Sequence, residues 1–386
     1  MKAPPELERY FMSEYGRAPV IVPSARFGLY AVVKSLFRPG DGVLLSPITC
    51  KMVVTALLAA GVLPVFVDVD PDTGNLDIDK LHKKTLSRAK GVITTNLYGT
   101  PDRVGELVER VRPHGLRVIE DCAHVVEARV DGARVGTVGD VAILSCSKVL
   151  QVHGGIVLSR DAAVAEEIQR TVHREGSRPS RRERIWSQLS MLVPARGRRA
   201  VRPVLQALRT RTATRSPPEI SARHVEQRLK LLVPAQHASL MSTHDLLSSD
   251  GKRYAVQPTS VMVQAIQHKL RAFESTIADK SARNRALIAR CDLERREPAY
   301  SARYCNLVVP FFTDHRDAIV QRLHEKGLDV SYIYDPPRNH LLGPQGCVDA
   351  QRFPERAWEW SRKVLPVNSD FAEEYLGVIR EFHPAP

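Results

Sequence analysis

The first 160 residues alternate between short apolar runs and segments with helical spacing, and this rhythm restricts the chain to few folds. Helical patterns such as Ser24–Phe37 and Thr49–Ala60 lie between the apolar runs. Strands that alternate with helices predict an α/β fold with a mostly parallel sheet and helices on both faces. Right-handed crossovers would place all the strand C-termini, and with them the ligand site, along one edge. The predicted strands are Val20–Val22, Val43–Leu45, Leu63–Val67, Val92–Asn96, Leu116–Glu120, Val141–Ser145 and Ile156–Ser159.

The alternation of strand and helix patterns stops at an Arg-rich segment, residues 177–218, which we interpret as an insertion. The whole chain has a net charge of +13, and the stretch from Arg170 to Arg215 holds thirteen arginines, no lysine and two acids, a net of +11. The remainder is close to neutral, which argues against a generally basic protein that coats nucleic acid. Three interpretations stay open for the insertion: a solvated face, capture of a phosphate-bearing substrate, or docking on an anionic membrane or nucleic acid.

The C-terminal part has a different pattern. A long helical pattern over Val261–Arg290 predicts a connector between two domains. A small α+β domain should follow it, so we predict a large domain over 1–255 and a connector helix with a small domain over 256–386. The elements predicted for the small domain are a strand at Tyr304–Phe312, a helix at Arg316–Lys326, a strand at Val330–Tyr334 and a helix at Phe371–Phe382.

Cysteine usage and hydropathy indicate the compartment. The six cysteines are scattered and form no CxxC pair, so neither a zinc site nor a disulfide framework is expected. The N-terminus lacks the apolar core of a signal peptide. The most apolar stretch, Val53–Val69, is shorter than the ~20 residues of a membrane span. We therefore expect a cytoplasmic protein.

Three short stretches carry chemistry. Asp121, in Glu120-Asp121-Cys122-Ala123-His124, ends an apolar strand, where an acid either faces the ligand crevice or caps a helix. Lys148, in Ser145-Cys146-Ser147-Lys148, follows another strand and is either a solvated lysine or a desolvated nucleophile. Ser24, in Pro23-Ser24-Ala25-Arg26, opens a helix as an anion site or as a plain N-cap.

Taken together, these stretches fit one cofactor, pyridoxal phosphate (PLP). PLP needs a lysine for its aldehyde, a carboxylate for its ring nitrogen, and a helix start with hydroxyls for its phosphate. The chain presents the helix start first, then the acid, then Ser-x-x-Lys.

Short motifs in the same order resemble those of the DegT/StrS-type sugar aminotransferases, which are fold-type-I PLP enzymes. The resemblance covers most of the chain apart from the insertion. The motifs that carry it are Pro39–Val43, Ala60–Asp70, Leu97–Gly99, Glu120–His124, Gly136–Asp140 and Leu365–Val367.

The resemblance implies specific roles. Lys148 would bind PLP as a Schiff base, Asp121 would hold the ring nitrogen protonated, and His124 would lie near the phenolic oxygen. The full set of cofactor contacts that it implies is Lys148, Asp121, His124, Ser145, Ser24, Ala25, Arg26 and Cys50, where Cys50 stands at the position of an aromatic residue that stacks on the ring in many relatives.

The function that the resemblance implies is transfer of an amino group from an amino acid, glutamate by analogy, to the keto group of a nucleotide-linked sugar. Lys148 argues against the dehydratase branch of the family, which lacks this lysine. A homodimer is expected, and no nucleic acid partner.

Two questions stay open at this stage. The apolar positions of the connector helix could form the dimer contact or the core of one chain. The alternative function is a non-catalytic or differently catalytic protein of this fold, whose Arg-rich insertion binds nucleic acid or an anionic membrane. The connector positions in question are Val263, Ile266, Leu270, Phe273 and Ile277.

Overall fold

The computed structural model describes residues 3–176, 257–335, 337–339 and 355–383. The Arg-rich insertion and the proposed domain boundary at 255 lie outside these ranges. The strands in the described part are β1 (Pro19–Val22), β2 (Gly42–Leu45), β3 (Leu63–Phe66), β4 (Gly91–Ile93), β5 (Arg117–Cys122), β6 (Glu127–Val130), β7 (Ala133–Arg134), β8 (Val141–Ser145), β9 (Gly155–Ser159), β10 (Ala302–Cys305), β11 (Val309–Phe312) and β12 (Val364–Val367). The helices are α1 (Pro5–Tyr15), α2 (Ala25–Leu36), α3 (Lys51–Ala59), α4 (Lys83–Leu86), α5 (Val104–Val111), α6 (Cys146–Val149), α7 (Ala162–Glu175), α8 (Ser260–Arg271), α9 (Phe273–Ile288), α10 (Arg316–Glu325), α11 (Glu355–Lys363) and α12 (Ala372–Phe382).

The main sheet has seven strands in the order β1-β9-β8-β5-β4-β2-β3. Strands β8, β5, β4, β2 and β3 pair in parallel, as the sequence predicts. Strand β9 runs antiparallel to both β1 and β8, so the prediction that every strand C-terminus shares one edge is wrong for β9. Only residues 146–154 connect β8 to β9, which is too short for the crossover that a parallel return requires.

The sheet is covered on both faces, because its strands are apolar on both sides. Val43 and Leu45 of β2 pack in one core with α2, α3 and α7, whereas Leu44, between them, packs in a second core with α5. Successive side chains of a strand point to opposite faces, so a continuous apolar run gives two covered faces. The result is a three-layer α/β/α arrangement that leaves the strand ends accessible.

The predicted strand Tyr304–Phe312 is in fact two strands in different sheets, and this prediction is corrected. β10 pairs with β6, and β11 pairs with β12. Between them, the Leu307 N–H donates to the Tyr98 carbonyl over 2.8 Å, and the Asn306 side chain donates to the Thr100 hydroxyl over 3.1 Å. These bonds to the 98–100 turn replace the ladder bonds that one long strand would make.

The predicted connector helix is also corrected, because it breaks at Ala272 into α8 and α9. The hydroxyls of Ser275 and Thr276 each donate to the Ala272 carbonyl over 2.9 Å, a side-chain bond that competes with regular helix bonding. The apolar positions proposed for a dimer contact belong to an intrachain core with α1. Of these, Val263, Ile266 and Phe273 are buried in it, and Leu270 and Ile277 pack against it.

The segment predicted as the strand Val330–Tyr334 has no ladder partner among the described residues and is irregular. Tyr332 has φ of +68°, a left-handed conformation that ends regular strand geometry. Its carbonyl accepts a hydrogen bond from the Tyr98 hydroxyl over 2.8 Å, which ties the segment to the large sheet. Across the described helices, none combines the length and the apolar character that a membrane crossing requires.

Candidate active site

The sheet brings Asp121 and Lys148 to the same edge. Asp121 lies near the C-terminal end of β5 and is the register partner of Ile143 in β8. Lys148 lies three residues after the end of β8, within the short helix α6. Parallel neighbours end on the same side, so the two motifs meet although they are distant in sequence.

Burial governs the charge state of this pair. Desolvation raises the pKa of the Asp121 carboxyl, and the positive charge of Lys148 works against that rise. Desolvation likewise lowers the pKa of Lys148, against the opposing effects of Cys50 and Asp121, while Arg26 lowers it further. A lysine with a lowered pKa spends more time as the neutral amine, the form that attacks carbonyl carbons and accepts protons.

The Asp121 carboxyl is held with one oxygen open. Oδ1 accepts the Ala123 N–H over 2.9 Å, and the Asp121 carbonyl accepts the Asn96 side-chain amide over 2.9 Å. Within the described ranges, Oδ2 accepts no hydrogen bond. An open carboxylate oxygen at the site edge can receive a cationic N–H, which is the contact that a protonated pyridine ring requires.

Glu120, which precedes Asp121, has a structural role and not a role in the site. It is fully buried, and its carboxylate accepts the N–H groups of Gly136, Val138 and Gly139 over 2.6–2.8 Å. The 136–140 turn is thereby fixed to β5. Successive strand residues face opposite sides, so the two acids of this motif have separate roles.

His124 is a neutral imidazole with a defined proton position. It is buried, and burial followed by the charge of Lys148 lowers its pKa well below the usual range. Nδ1 accepts the backbone N–H of Tyr98 over 3.1 Å, which assigns the ring proton to Nε2. Nε2 lies 3.4 Å from the Tyr334 hydroxyl, so that hydroxyl oxygen is the acceptor.

A candidate anion cradle forms where α2 begins. The Ser24 hydroxyl accepts the Phe27 N–H over 3.2 Å, which makes it the N-cap, and the helix dipole adds positive character there. Gly155 of β9 pairs with both Val22 and Ser145, and a Cβ at Gly155 would lie 2.5 Å from the Ala25 nitrogen. Glycine therefore permits the close approach that brings the start of α2 toward Ser145.

The hydroxyls of this cradle lie on the same side as Lys148. Ser145 is buried, and its Oγ is 3.1 Å from the Ser147 Oγ. Arg26 is in the first turn of α2, close enough for its charge to lower the pKa of Lys148. Helix N–H groups, a hydroxyl pair and a guanidinium are the donors that a phosphate needs. The residues present therefore fit PLP at each of its three polar ends.

Cys50 is the N-terminal flanking residue of α3 and is partly buried. Its thiol is near enough to influence the charge of Lys148. A thiol offers less stacking surface than the aromatic side chain that the motif resemblance implies at this position. The structure thus places Cys50 near the lysine, and its contact with the cofactor ring stays a prediction.

Sequence reasoning missed a group of residues from the C-terminal part. The Tyr332 ring centroid lies 5.2 Å from Lys148 Nζ, and the same ring meets His124 edge-on at 5.0 Å. Tyr334 and Arg338 follow, and the Arg338 guanidinium lies 5.5 Å from the Tyr334 ring centroid. The signal available was Tyr-x-Tyr followed by an arginine four residues later, but an expected strand does not indicate which side chains reach the lysine.

Comparison with known proteins supports the resemblance that the sequence motifs indicate. Residues 16–198 match the model of the DegT/DnrJ/EryC1/StrS aminotransferase family, so the resemblance drawn from the motifs is confirmed over this segment. A UDP-N-acetyl-3-dehydro-alpha-D-glucosamine 3-aminotransferase of Acidithiobacillus ferrooxidans is 36% identical over 135 residues, 34% of this chain and 37% of that protein. A GDP-perosamine synthase of Caulobacter vibrioides is 34% identical over 155 residues, 39% of this chain and 42% of that protein. The chain thus covers about two fifths of the length of these curated relatives.

The fold extends further than the sequence similarity. The structure of DesV from S. venezuelae in complex with a ketimine intermediate has a TM-score of 0.67, with 20% identity over 100% of this chain and 91% of that one. This likeness confirms the predicted fold class: a mostly parallel central sheet with helices on both faces and a small C-terminal α+β part.

Proposed function

We propose that this protein is a PLP-dependent aminotransferase that moves an amino group from an amino acid to the keto group of a sugar. The observation that carries the proposal is the pairing of Lys148, with its lowered pKa, and the open Oδ2 of Asp121 at the ends of adjacent strands. The family match over residues 16–198 supports it. When bound, PLP supplies the aldehyde and the electron-withdrawing ring on which amino groups are exchanged.

Each residue then has a defined task. Lys148 would hold the cofactor through its amine, and as a free amine it would take and return a proton at the substrate carbon that bears the nitrogen. Asp121 holds the proton on the ring nitrogen through Oδ2. The carboxylate would keep the ring cationic, and a cationic ring would draw off the negative charge that develops when that carbon is deprotonated.

The remaining site residues position the group. Ser145 and the α2 start at Ser24, Ala25 and Arg26 hold the phosphate, since they supply hydroxyls, helix N–H groups and one positive charge. Neutral His124 would lie near the phenolic oxygen, and its lowered pKa keeps it from competing for the proton of the ring nitrogen. Cys50, whose thiol influences the charge of Lys148, would contact the cofactor ring.

For the substrates, we propose glutamate as the donor and a nucleotide-linked ketosugar as the acceptor. The names of the two relatives above, which include UDP- and GDP-linked sugars, support this acceptor class. The test is to incubate the PLP-loaded protein with ¹⁵N-glutamate and a panel of UDP-, GDP- and dTDP-linked 3-keto and 4-keto sugars. We expect one ¹⁵N-aminosugar and 2-oxoglutarate in equal amounts. If 2-oxoglutarate forms and no sugar gains nitrogen, the acceptor class is wrong.

We further propose a cytoplasmic homodimer with a large domain over 1–255 and a small domain over 256–386. The connector positions that motivated the dimer are used in the intrachain core, so the dimer proposal now rests on the family alone. Sedimentation of the loaded enzyme at micromolar concentration tests it. An active species with the 43.1 kDa mass of one chain would contradict it.

A second function is favoured by one observation, the net charge of +11 between Arg170 and Arg215. Such a segment could dock on an anionic membrane or on nucleic acid, with or without catalysis by the rest of the chain. Replacing Arg181, Arg182, Arg184, Arg198 and Arg199 by Gln separates the cases. Loss of vesicle or DNA binding with unchanged amino transfer supports docking, and loss of salt-dependent kcat/KM for the acceptor supports substrate capture.

A further inference from the structure

The loop between β4 and α5, residues 94–103, lies at the C-terminal edge of the main sheet, beside the end of β5. Within this loop Asn96 has a φ of +43° and a ψ of +52°, a left-handed conformation that turns the chain away from β5. Asn96 is almost fully buried, with a relative exposure of 1%. A buried amide needs partners for its donors and its acceptor, so its contacts define its role.

The Asn96 side chain replaces a hydrogen bond of the parallel ladder. The ladder joins Ile93 to Ile119, and the Thr94 N–H donates to the Ile119 carbonyl over 3.0 Å. The next bond of a regular parallel ladder would join the Asn96 N–H to the Asp121 carbonyl, two residues further along each strand. Because the loop turns away, the Asn96 side-chain amide makes this bond, with Nδ2 2.9 Å from the Asp121 carbonyl oxygen. A side chain therefore holds the main chain of Asp121.

Three further hydrogen bonds fix Asn96 itself. Its Nδ2 also donates to the Thr94 hydroxyl over 3.0 Å, and its Oδ1 accepts the Asp102 N–H over 3.0 Å. In return, Asp102 Oδ2 accepts the Asn96 N–H over 2.8 Å. The bond from the Asp102 N–H identifies Oδ1 as the acceptor, so Nδ2 is the group that faces Asp121. The amide has one orientation, because both of its ends are bound.

The peptide that Asn96 holds belongs to the residue whose carboxyl we assign to the cofactor ring. The Ala123 N–H orients that carboxyl through Asp121 Oδ1, and Asn96 fixes the main chain from the other side. Together the two bonds determine where Oδ2 points. A charge-assisted hydrogen bond weakens steeply with distance and angle, so a small shift of this peptide should weaken the contact with a pyridine nitrogen.

A second buried amide stabilises the same loop without reaching Asp121. Asn75 is 2% exposed, its Nδ2 donates to the Thr100 carbonyl over 3.0 Å, and its Oδ1 accepts the Leu97 N–H over 2.8 Å. Both of these bonds end in the loop. Deleting the Asn75 side chain should therefore loosen the loop to a similar degree while leaving the bond between Asn96 and Asp121 in place.

We propose that Asn96 is a positioning residue of the cofactor site, whose amide sets the Asp121 peptide so that Oδ2 meets the ring nitrogen of PLP. This inference rests on the proposed function. The groups assigned to the phosphate and the aldehyde, at the start of α2 and after β8, lie on other elements. Loss of the Asn96 amide should therefore weaken the contact with the ring nitrogen and spare the other two.

The test compares PLP with its 1-deaza analogue, in which a C–H group replaces the ring nitrogen. The dissociation constants of both are measured by equilibrium dialysis for the parent, Asn96→Gly and Asn75→Gly. Glycine adopts the left-handed backbone at 96 and can keep the N–H bond to Asp102. We expect the parent to prefer PLP and this preference to fall about tenfold in Asn96→Gly, the size of a weakened charge-assisted hydrogen bond. Asn75→Gly should weaken both ligands equally and keep the preference.

The outcomes separate positioning from general loss of structure. If Asn96→Gly keeps the parent's preference for PLP, the proposal is wrong. If both glycine variants lose the preference to the same extent, the loop as a whole is responsible, and the proposal is also wrong.

A second variant covers the case in which Asn96→Gly does not fold. Thr94→Val keeps the shape of the side chain and removes only the hydroxyl that accepts from Asn96 Nδ2. We expect its preference for PLP to fall about threefold, and an unchanged preference would overturn the proposal. Failure of the proposed function is a different result. In that case the parent binds neither ligand, whereas a parent that binds both equally contradicts the role of Asp121 and, with it, that of Asn96.

Discussion

The backbone N–H of Tyr98 donates to Nδ1 of His124 over 3.1 Å, and the two rings are within 6° of parallel with centroids 6.2 Å apart. The peptide group of one residue therefore sets the tautomer of the other. Tyr98 itself has a φ of +58°, in the left-handed region. A ring held in this way stays neutral at a site that also contains Lys148.

The first prediction concerns the pH dependence that His124 produces. The unfolded chain protonates this histidine near pH 6.5, but the folded chain does not, because burial lowers the pKa. The unfolded state therefore binds more protons below pH 6.5, and stability should fall as the pH decreases, with a slope of up to ~1.4 kcal/mol per pH unit. The variant His124→Asn can still accept the Tyr98 N–H, but it should not show this loss of stability below pH 6.5. Urea unfolding from pH 5 to 7.5 checks it, and identical slopes in both proteins would contradict it.

The second prediction is that Asp102 makes the folded protein less stable as the pH rises, the opposite of the effect of His124. Burial raises its pKa to about 7, while its Oδ2 accepts the N–H groups of Thr95 and Asn96. The folded state keeps this proton up to about pH 7 and the unfolded chain loses it near pH 4, so stability should fall as the pH rises through that window. In Asp102→Asn, the free energy of unfolding should decrease less between pH 4 and 7 than it does in the parent. The same unfolding series measures it, and an unchanged slope would show that Asp102 is ionised in the folded protein.

A third prediction identifies the cofactor lysine. In Lys148→Ala, borohydride reduction of the PLP-treated protein should leave no cofactor mass on any peptide, and the half-reaction with glutamate should be lost. The reason is that Lys148 is the amine whose pKa the site lowers. The control is Lys83→Ala, which removes an exposed lysine and should behave like the parent. A cofactor mass retained on another peptide would assign the role elsewhere.

A fourth prediction separates the two adjacent acids. Asp121→Asn should fold and bind PLP but transfer amino groups about 10²–10³ times more slowly, because a charged contact is lost in a dry site. Glu120→Gln should mainly lower the free energy of unfolding, by about 1–3 kcal/mol, since its carboxylate accepts three backbone N–H groups of the 136–139 turn. Single-turnover rates and urea unfolding of both variants distinguish them. A slow but fully stable Glu120→Gln, or a fast Asp121→Asn, would reverse the assignment.

The sequence indicated most of the sheet and where its chemical groups lie along the chain. A short apolar run such as Val141–Ser145, bounded by turn residues, is enough to identify a strand from the sequence. The direction of β9 was missed, although the nine residues between β8 and β9 are too few for a parallel return. The pairing of β9 with β1 is the long-range part of this arrangement.

In the candidate site, too, some residues could be named from the sequence and others only from the structure. Asp121, Lys148 and the start of α2 could be named from the sequence, because each follows directly from the end of a strand or the beginning of a helix. Tyr332, Tyr334 and Arg338 could not be named, because they reach the lysine only after the C-terminal part folds back onto the loop between β2 and α3. Local spacing determines secondary structure, whereas contacts between residues far apart in the sequence, up to 289 positions in one case, depend on tertiary packing. That packing decided which side chains complete the site.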